Sequence, residues 1–216
     1  MRRRGRRWRN IGLDYEIIGS GSSGNCVIIE DMMFDCGVPY GHIKDKLYDI
    51  KYLFITHRHS DHIKPNTVNG IIRNFPRIKI IGNYDVAKLV PTYDIVGDVT
   101  ELDLGDRTVQ AFKCYHDVPT TGFVINMNNV NLIYATDTAS LEDAPDIKYD
   151  YMFIESNHDE KKVEAVRNNS KKIYGYDVWK GAKRHLSTQK SREFYYLHRR
   201  DKDSKWIELH KSKRFY

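Results

Sequence analysis

Six residues constrain this chain more than any other stretch: His57-Arg58-His59-Ser60-Asp61-His62, set directly behind the apolar run Tyr52-Leu53-Phe54-Ile55. Neutral imidazole and carboxylate are the donors that borderline divalent metals such as zinc prefer. A strand that ends in such a cluster fans its side chains about a point, whereas a helix would stack them along one face. A polar loop that merely contains histidines is the competing reading, and four ligand-type side chains in six residues argue against it. The segment reads as half of a two-metal site, and the rest of the chain must supply the other half.

The apolar pattern predicts short strands at 13–18, 26–30, 32–35, 52–56, 79–82, 107–115, 122–126, 132–135, 151–154 and 206–209. Helices are expected at 40–48, 67–74, 85–90, 161–168 and 188–198. Ser20-Gly21-Ser22-Ser23-Gly24-Asn25 reads as a tight turn between the first two strands. Strands interleaved with helices in this way favour an α/β sandwich of two sheets flanked by helices over a doubly wound parallel sheet. A length of 216 residues suits one such domain, here placed at 13–216 behind a tail at 1–12.

That tail carries six arginines and no acid in residues 1–10 and is expected to be disordered. It reads either as a nucleic-acid arm or as a leader. Beyond it the charge divides. Residues 11–160 hold 12 Lys/Arg against 23 Asp/Glu, and residues 161–216 hold 17 against 6. An acidic part that can hold cations beside a basic part that can hold anions suits a metalloenzyme acting on phosphates, although two solvated faces would give the same count. Cys26, Cys36 and Cys114 are odd in number and lack paired metal spacing, which argues against a disulfide framework. No run approaches the ~18–20 apolar residues of a membrane helix, and the N-terminus lacks a signal-peptide core. A cytoplasmic protein without a membrane partner is the expectation.

Three later strands each deliver a ligand-type residue: residues 111–115 run into His116-Asp117, residues 132–135 into Thr136-Asp137-Thr138, and residues 206–209 into His210. With the first cluster they make five histidines and two aspartates, enough for two metals and a shared carboxylate. Two-metal hydrolytic sites hold their ions ~3.5–4 Å apart, which calls for a bridging ligand, and Asp137 is the natural one.

This order, His-x-His-x-Asp-His followed by His116, Thr136-Asp137-Thr138 and a terminal His210, resembles the metallo-β-lactamase fold, an αββα sandwich, from about residue 13 to the end. The Ser20 to Asn25 turn, Glu155-Ser156-Asn157-His158-Asp159 and His185-Leu186-Ser187 are similar to WalJ/VicX-type proteins, which are linked to 5′–3′ exonuclease activity. His210-Lys211-Ser212-Lys213-Arg214-Phe215 looks like the ending of ribonuclease Z, and His185 with Glu155 resembles the catalytic pair of that enzyme. The resemblance implies two divalent ions, zinc or manganese. His57, His59 and His116 would hold the first, and Asp61, His62 and His210 the second, with Asp137 between them. A metal-activated water would attack phosphorus, with Asp61 orienting it, and His185 held by Glu155 would act as the acid.

His185 competes with His210 for the last ligand position; His210 is favoured because it follows a strand, as the other ligands do. His158, His42 and His198 read as surface histidines, His158 within reach of the site. Two departures stand out. Arg214-Phe215-Tyr216 replaces the asparagines of the WalJ pattern, and only 17 residues separate Asp137 from Glu155, so the transfer-RNA-gripping arm of ribonuclease Z has no counterpart.

The function expected is binuclear phosphodiester hydrolysis in DNA or RNA. The alternatives are a cyclic-nucleotide phosphodiesterase resembling the phage anti-Pycsar enzymes and a metal-binding regulatory protein with vestigial catalysis. Relatives of this kind are often dimers, so a homodimer is expected.

Overall fold

Strand β4 (Tyr52–Ile55) is buried at every position because both of its faces are covered. Tyr52 and Phe54 enter one apolar cluster, Leu53 and Ile55 another. The computed structural model describes residues 12–216, so all but the last residue of the tail expected at 1–12 lies outside the described residues.

One sheet runs β1 (Tyr15–Gly19), β2 (Cys26–Ile29), β3 (Met32–Phe34), β4, β5 (Lys79–Gly82) and β6 (Asp94–Ile95) in chain order. Its first three strands are antiparallel neighbours, and β3 to β6 are parallel. The second sheet holds β7 (Glu101–Asp103), β8 (Arg107–Cys114), β9 (Thr120–Met127), β10 (Val130–Ala135), β11 (Tyr151–Glu155) and β12 (Lys205–Leu209). There β7 to β10 are antiparallel, and β10, β11 and β12 are parallel.

The inner faces meet in an aromatic core. Phe34 stacks on Tyr134 with ring centroids 4.3 Å apart and on Phe54 at 5.1 Å, and Phe54 reaches Phe123 at 5.1 Å. Outside the first sheet lie α1 (Pro65–Asn74) and α2 (Tyr84–Ala87), whose Val68, Ile71 and Val86 cover Leu53 and Ile55. Outside the second lies α6 (Thr188–His198), with Phe194 and Tyr195 against Met152 and Ile154. The two-sheet α/β sandwich expected from the pattern is therefore present. Three short helices, α3 (Glu160–Val166), α4 (Ser170–Tyr174) and α5 (Val178–Ala182), fill the connection from β11 to α6 and close on Phe215 through Val163 and Val178. No helix among the described residues is long and apolar enough to cross a membrane.

The helix expected at 40–48 is reduced to a single 3₁₀ turn, Tyr40–His42, followed by irregular turns. Ile43 and Leu47 share one face of a helical pattern, and both are buried, but turns deliver them there without a regular helix. The turn has no side-chain cap, and Gly41 weakens any helix continuing from it.

Parallel pairing brings one set of strand ends to a common edge. Ala135 lies level with Ile154, and Ile154 with Glu208, so β10, β11 and β12 finish in step. At Asp35, Asp137 and His210, just beyond β3, β10 and β12, the backbone turns left-handed, with φ of 61°, 52° and 52°. Asp and His tolerate that region better than bulky side chains do. The loops at this edge are laced together: Gly37 N donates to Asn25 O, Asn25 N to Asp61 O (2.7 Å), and Cys36 N to His62 O (2.7 Å).

Gly37 packs so closely that a Cβ there would collide with the carbonyl of Asp61 and press on His62 N, all backbone. Gly37→Ala is expected to destabilise the protein by about 1–3 kcal/mol or more, through overpacking that displaces the Asp61–His62 loop. Gly41→Ala, where nothing stands within 4 Å, is the matched control and should leave the urea midpoint nearly unchanged. Equal midpoints for the two variants would refute this account of the loop packing.

Candidate metal centre

His57 follows β4 after one residue and is fully buried, its Nδ1 3.0 Å from Thr56 Oγ1. The chain then turns tightly, with His62 N and Ile63 N both donating to His59 O, so the three histidines of the motif face one point. His116 arrives from the loop after β8, Asp137 from that after β10 and His210 from that after β12.

Two ligand groups result, each with its donor atoms within 4.8 Å of one another: His57, His59 and His116, and then Asp61, His62, Asp137 and His210. Asp137 reaches both. Its Oδ2 is 2.6 Å from His62 Nε2 and 3.6 Å from His57 Nε2, while its Oδ1 is 2.9 Å from His210 Nδ1. A third group, Asp137, Glu155, His185 and His210, overlaps the second. All nine residues singled out from the sequence, His57, His59, Asp61, His62, His116, Asp137, Glu155, His185 and His210, thus fall into one contiguous cluster.

The competition between His185 and His210 takes a definite form here. Glu155 Oε1 meets both rings, His185 Nδ1 at 2.7 Å and His210 Nδ1 at 2.9 Å. Its Oε2 accepts from Thr138 N (2.8 Å) and Leu186 N (3.2 Å). His210 stands with both Asp61 and His62 in the second group, whereas His185 does not.

Whether divalent ions fit can be judged from the polar atoms themselves. His62 Nδ1 is 2.7 Å from Asp35 Oδ2. With Nδ1–H donated there, Nε2 turns a lone pair toward Asp137 Oδ2 at 2.6 Å, a contact that requires a proton or a cation. Asp137 Oδ1, for all its 2.9 Å approach to His210 Nδ1, and His210 Nε2 are buried and complete no hydrogen bond among the described residues. Nitrogen and carboxylate donors gathered in this way suit zinc or manganese, and a carboxylate behind a ligating imidazole is the usual orienting partner.

The charges respond to one another. Burial alone would depress His62, but Asp35 and Asp137 on either side outweigh it and lift the ring to about 10. Burial and the neighbouring His62 hold His57 well below the ordinary histidine range. Burial would raise Asp137, yet His62 and His210 pull it well below the usual carboxylate range. Glu155 is likewise lowered against its burial, chiefly by His185, and Glu155 in return raises His185.

Several contributors escaped the sequence reading. Asp35 orients His62. Asn25, in the Gly/Ser turn, places its Nδ2 2.8 Å from His62 Nε2 and 3.4 Å from Asp61 Oδ2. Asp117 lies 3.1 Å from His116 Nε2 and 3.6 Å from His59 Nε2, with its other oxygen on Arg184. Their only trace in the sequence is that each sits in a turn or beside a strand end. One expectation fails: His158 is 7% exposed, not a surface histidine, because its backbone bridges to Ser187 ahead of α6. His42 is exposed as expected, and His198 is half-buried against Phe194 at 4.3 Å.

Residues 33–198 match the family described as the beta-lactamase superfamily domain. A protein of Bacillus anthracis named exodeoxyribonuclease YycJ is 30% identical over 73% of this chain and 66% of its own length. A Streptococcus pneumoniae protein named exodeoxyribonuclease WalJ is 27% identical over 74% of this chain and 67% of its own. The chain therefore spans about two thirds of the length of these curated relatives. Among solved structures, the short form of human tRNase Z superposes with a TM-score of 0.65 at 18% identity, covering 93% of both chains. The metallo-β-lactamase-fold protein YhfI of Bacillus subtilis gives 0.65 at 15% identity, covering 93% of this chain and 87% of that one. These two likenesses show the fold.

Asp35→Asn keeps the shape behind His62 and removes the charge. It is expected to weaken zinc or manganese binding by about 10–100-fold in a calorimetric titration while the fold, followed by circular dichroism, persists. Unchanged affinity would mean that His62 does not bind metal through Nε2.

Proposed function

The chain belongs to the beta-lactamase superfamily, and from that premise we propose that it hydrolyses phosphodiester bonds of DNA or RNA with the help of two divalent ions. The observation that carries this reading is the position of Asp137, one carboxylate spanning two separate ligand groups. In our reading His57, His59 and His116 hold one ion, Asp61, His62 and His210 the other, and Asp137 both. Zinc or manganese so held would supply Lewis acidity toward a phosphoryl oxygen and a water acidic enough to attack at neutral pH.

The chain's own groups do the rest. Asp61, 26% exposed at its side chain, is the carboxylate of the second group that can orient a nucleophile from the open side. His185 binds Glu155 through Nδ1, so Nε2 is the nitrogen left to hand a proton to a phosphate oxygen or the leaving group. Glu155 fixes that tautomer from full burial, as a carboxylate behind an acting histidine must. His185 is a partly exposed member of the cluster, which suits a group that meets substrate.

Support for a polymeric substrate comes from charge and from the relatives' names. The α3 to α6 segment and the C-terminus carry the excess of 17 Lys/Arg over 6 Asp/Glu, and His185 lies within this segment. A basic wall beside the site raises the local concentration of a polyanion. The relatives named as exodeoxyribonucleases make DNA the first polymer to try. A cyclic mononucleotide is the second reading, favoured by the short link from Asp137 to Glu155, which consists of turns and bends up to β11 and builds no protruding arm.

The decisive assay offers the manganese- or zinc-loaded protein single-stranded DNA, RNA and cyclic mononucleotides. Polymer cleavage is expected, abolished by chelation and by Asp137→Ala. His185→Ala should lower kcat by about 10²–10⁴-fold with KM little changed, as loss of a general acid does. Cleavage of cyclic nucleotides with both polymers untouched would sink the nuclease reading, and full activity in Asp137→Ala would sink the shared-carboxylate arrangement.

A further inference from the structure

A cavity of about 520 Å³ opens beside the proposed acid, His185, between α3 and α5. It is not a ligand pocket of the metal cluster: apart from His185, its walls belong to the helical connection and to the Asp137 loop beyond Thr138. Its volume lies within the ~300–1,000 Å³ typical of small-molecule sites. One wall is Trp179, half-buried on α5, with Arg167 4.3 Å and Lys183 5.3 Å from its ring centroid. Lys161, Lys183 and Lys190 line the space together with Glu160 and Glu164. Three lysines against two acids leave the lining net positive; Glu164 is further paired with Arg167 at 3.3 Å, and Glu160 accepts from Ser187 Oγ at 2.6 Å.

A second, independent observation points to a ligand. His158 also lines the cavity, is more than nine-tenths buried, and leaves its Nδ1 without a hydrogen-bond partner among the described residues. Burial holds this ring below the ordinary histidine range, so at neutral pH it is an uncharged imidazole with one donor and one acceptor. An aromatic plane, an unsatisfied neutral hydrogen-bonding ring and three lysines around a hollow of this size match the parts of a nucleotide: a flat base, polar edges and a phosphate.

We propose that this cavity is a nucleoside subsite, in which the base of the nucleotide flanking the scissile phosphate packs on Trp179 and hydrogen-bonds His158, with Lys183 near its phosphate. The substrate class rests on the phosphodiesterase reading above, whereas the binding itself does not need turnover. Trp179 and His158 are specificity-determining residues in this account; neither belongs to the groups that could hold metal.

The test is calorimetric titration of the metal-loaded protein with thymidine 5′-monophosphate and adenosine 5′-monophosphate, against ribose 5-phosphate as the baseless probe. Phosphate on the metals contributes equally to all three, so the difference isolates the base. The nucleotides should bind roughly ten-fold or more tightly than the sugar phosphate. Trp179→Ala should erase that preference, Trp179→Phe should keep most of it, and His158→Ala should reduce it. Equal binding of all three probes to the wild-type protein overturns the proposal without any variant, as does a preference that survives in Trp179→Ala. Should Trp179→Ala not fold, His158→Ala and Trp179→Phe decide: an unreduced preference in His158→Ala, or one lost in Trp179→Phe, counts against it. Nucleotide preference in a protein that hydrolyses no phosphodiester would leave the subsite standing and bring down the proposed function alone.

Discussion

Three carboxylates with almost no access to water, Asp35, Asp137 and Glu155, are what the rest of this structure has to accommodate. An ionised carboxylate in an apolar interior is costly unless it is paired and hydrogen-bonded. Each stands at the end of a parallel strand, β3, β10 or β11, where the sandwich ends and backbone N–H groups are free to donate. Thr56 N binds Asp35, and Thr138 N and Leu186 N bind Glu155. Positive charge comes from imidazole: His62 between Asp35 and Asp137, His210 between Asp137 and Glu155, His185 on Glu155. The set is interdependent, since His62 and His210 each serve two carboxylates and loss of either ring removes positive charge from two buried anions. A divalent ion taken up by the same donors would replace protons on these rings, so metal affinity and proton binding are linked at this edge.

The parts of this arrangement legible in the sequence were those with local signatures. β4 and the cluster behind it declared themselves because an all-apolar run and four ligand types lie within a dozen residues. Asp137 and His210 were legible because each directly follows a strand pattern. Asp35 was not: an aspartate before Cys36-Gly37 looks like any turn, and its partner His62 lies 27 positions away, brought near by the parallel pairing of β3 with β4 and by Cys36 N on His62 O. Asn25 was hidden for the same reason. His158 misled in the opposite direction, because Asn157-His158-Asp159 looks solvated until the distant Ser187 closes over it.

The secondary structure divides along the same line. Long strands and the amphipathic α1 and α6 stand at or near their expected places. β6 has two residues, and α4 and α5 have five each, too short for periodicity to register. The segment 40–48 carries a helical spacing of buried residues, yet burial of Ile43 and Leu47 constrains only two side chains, which successive turns satisfy equally well. Where tertiary contact decides the local structure, the local pattern carries little of the information.

Charge ties the metal edge to what surrounds it. The acidic part of the chain up to residue 160 builds every strand but β12 among the described residues, while the basic residues 161–216 supply most of the helical connection, α6 and β12, and return two histidines, His185 and His210, to the cluster. These two share a single oxygen of Glu155, which makes that carboxylate the joint between the candidate metal cluster and the helical connection that carries His185. The orientation of His185 is therefore set by the same buried anion that positions His210. Moving Glu155 would disturb both rings together, so the placement of His185 relative to His210 depends on one strand end, β11.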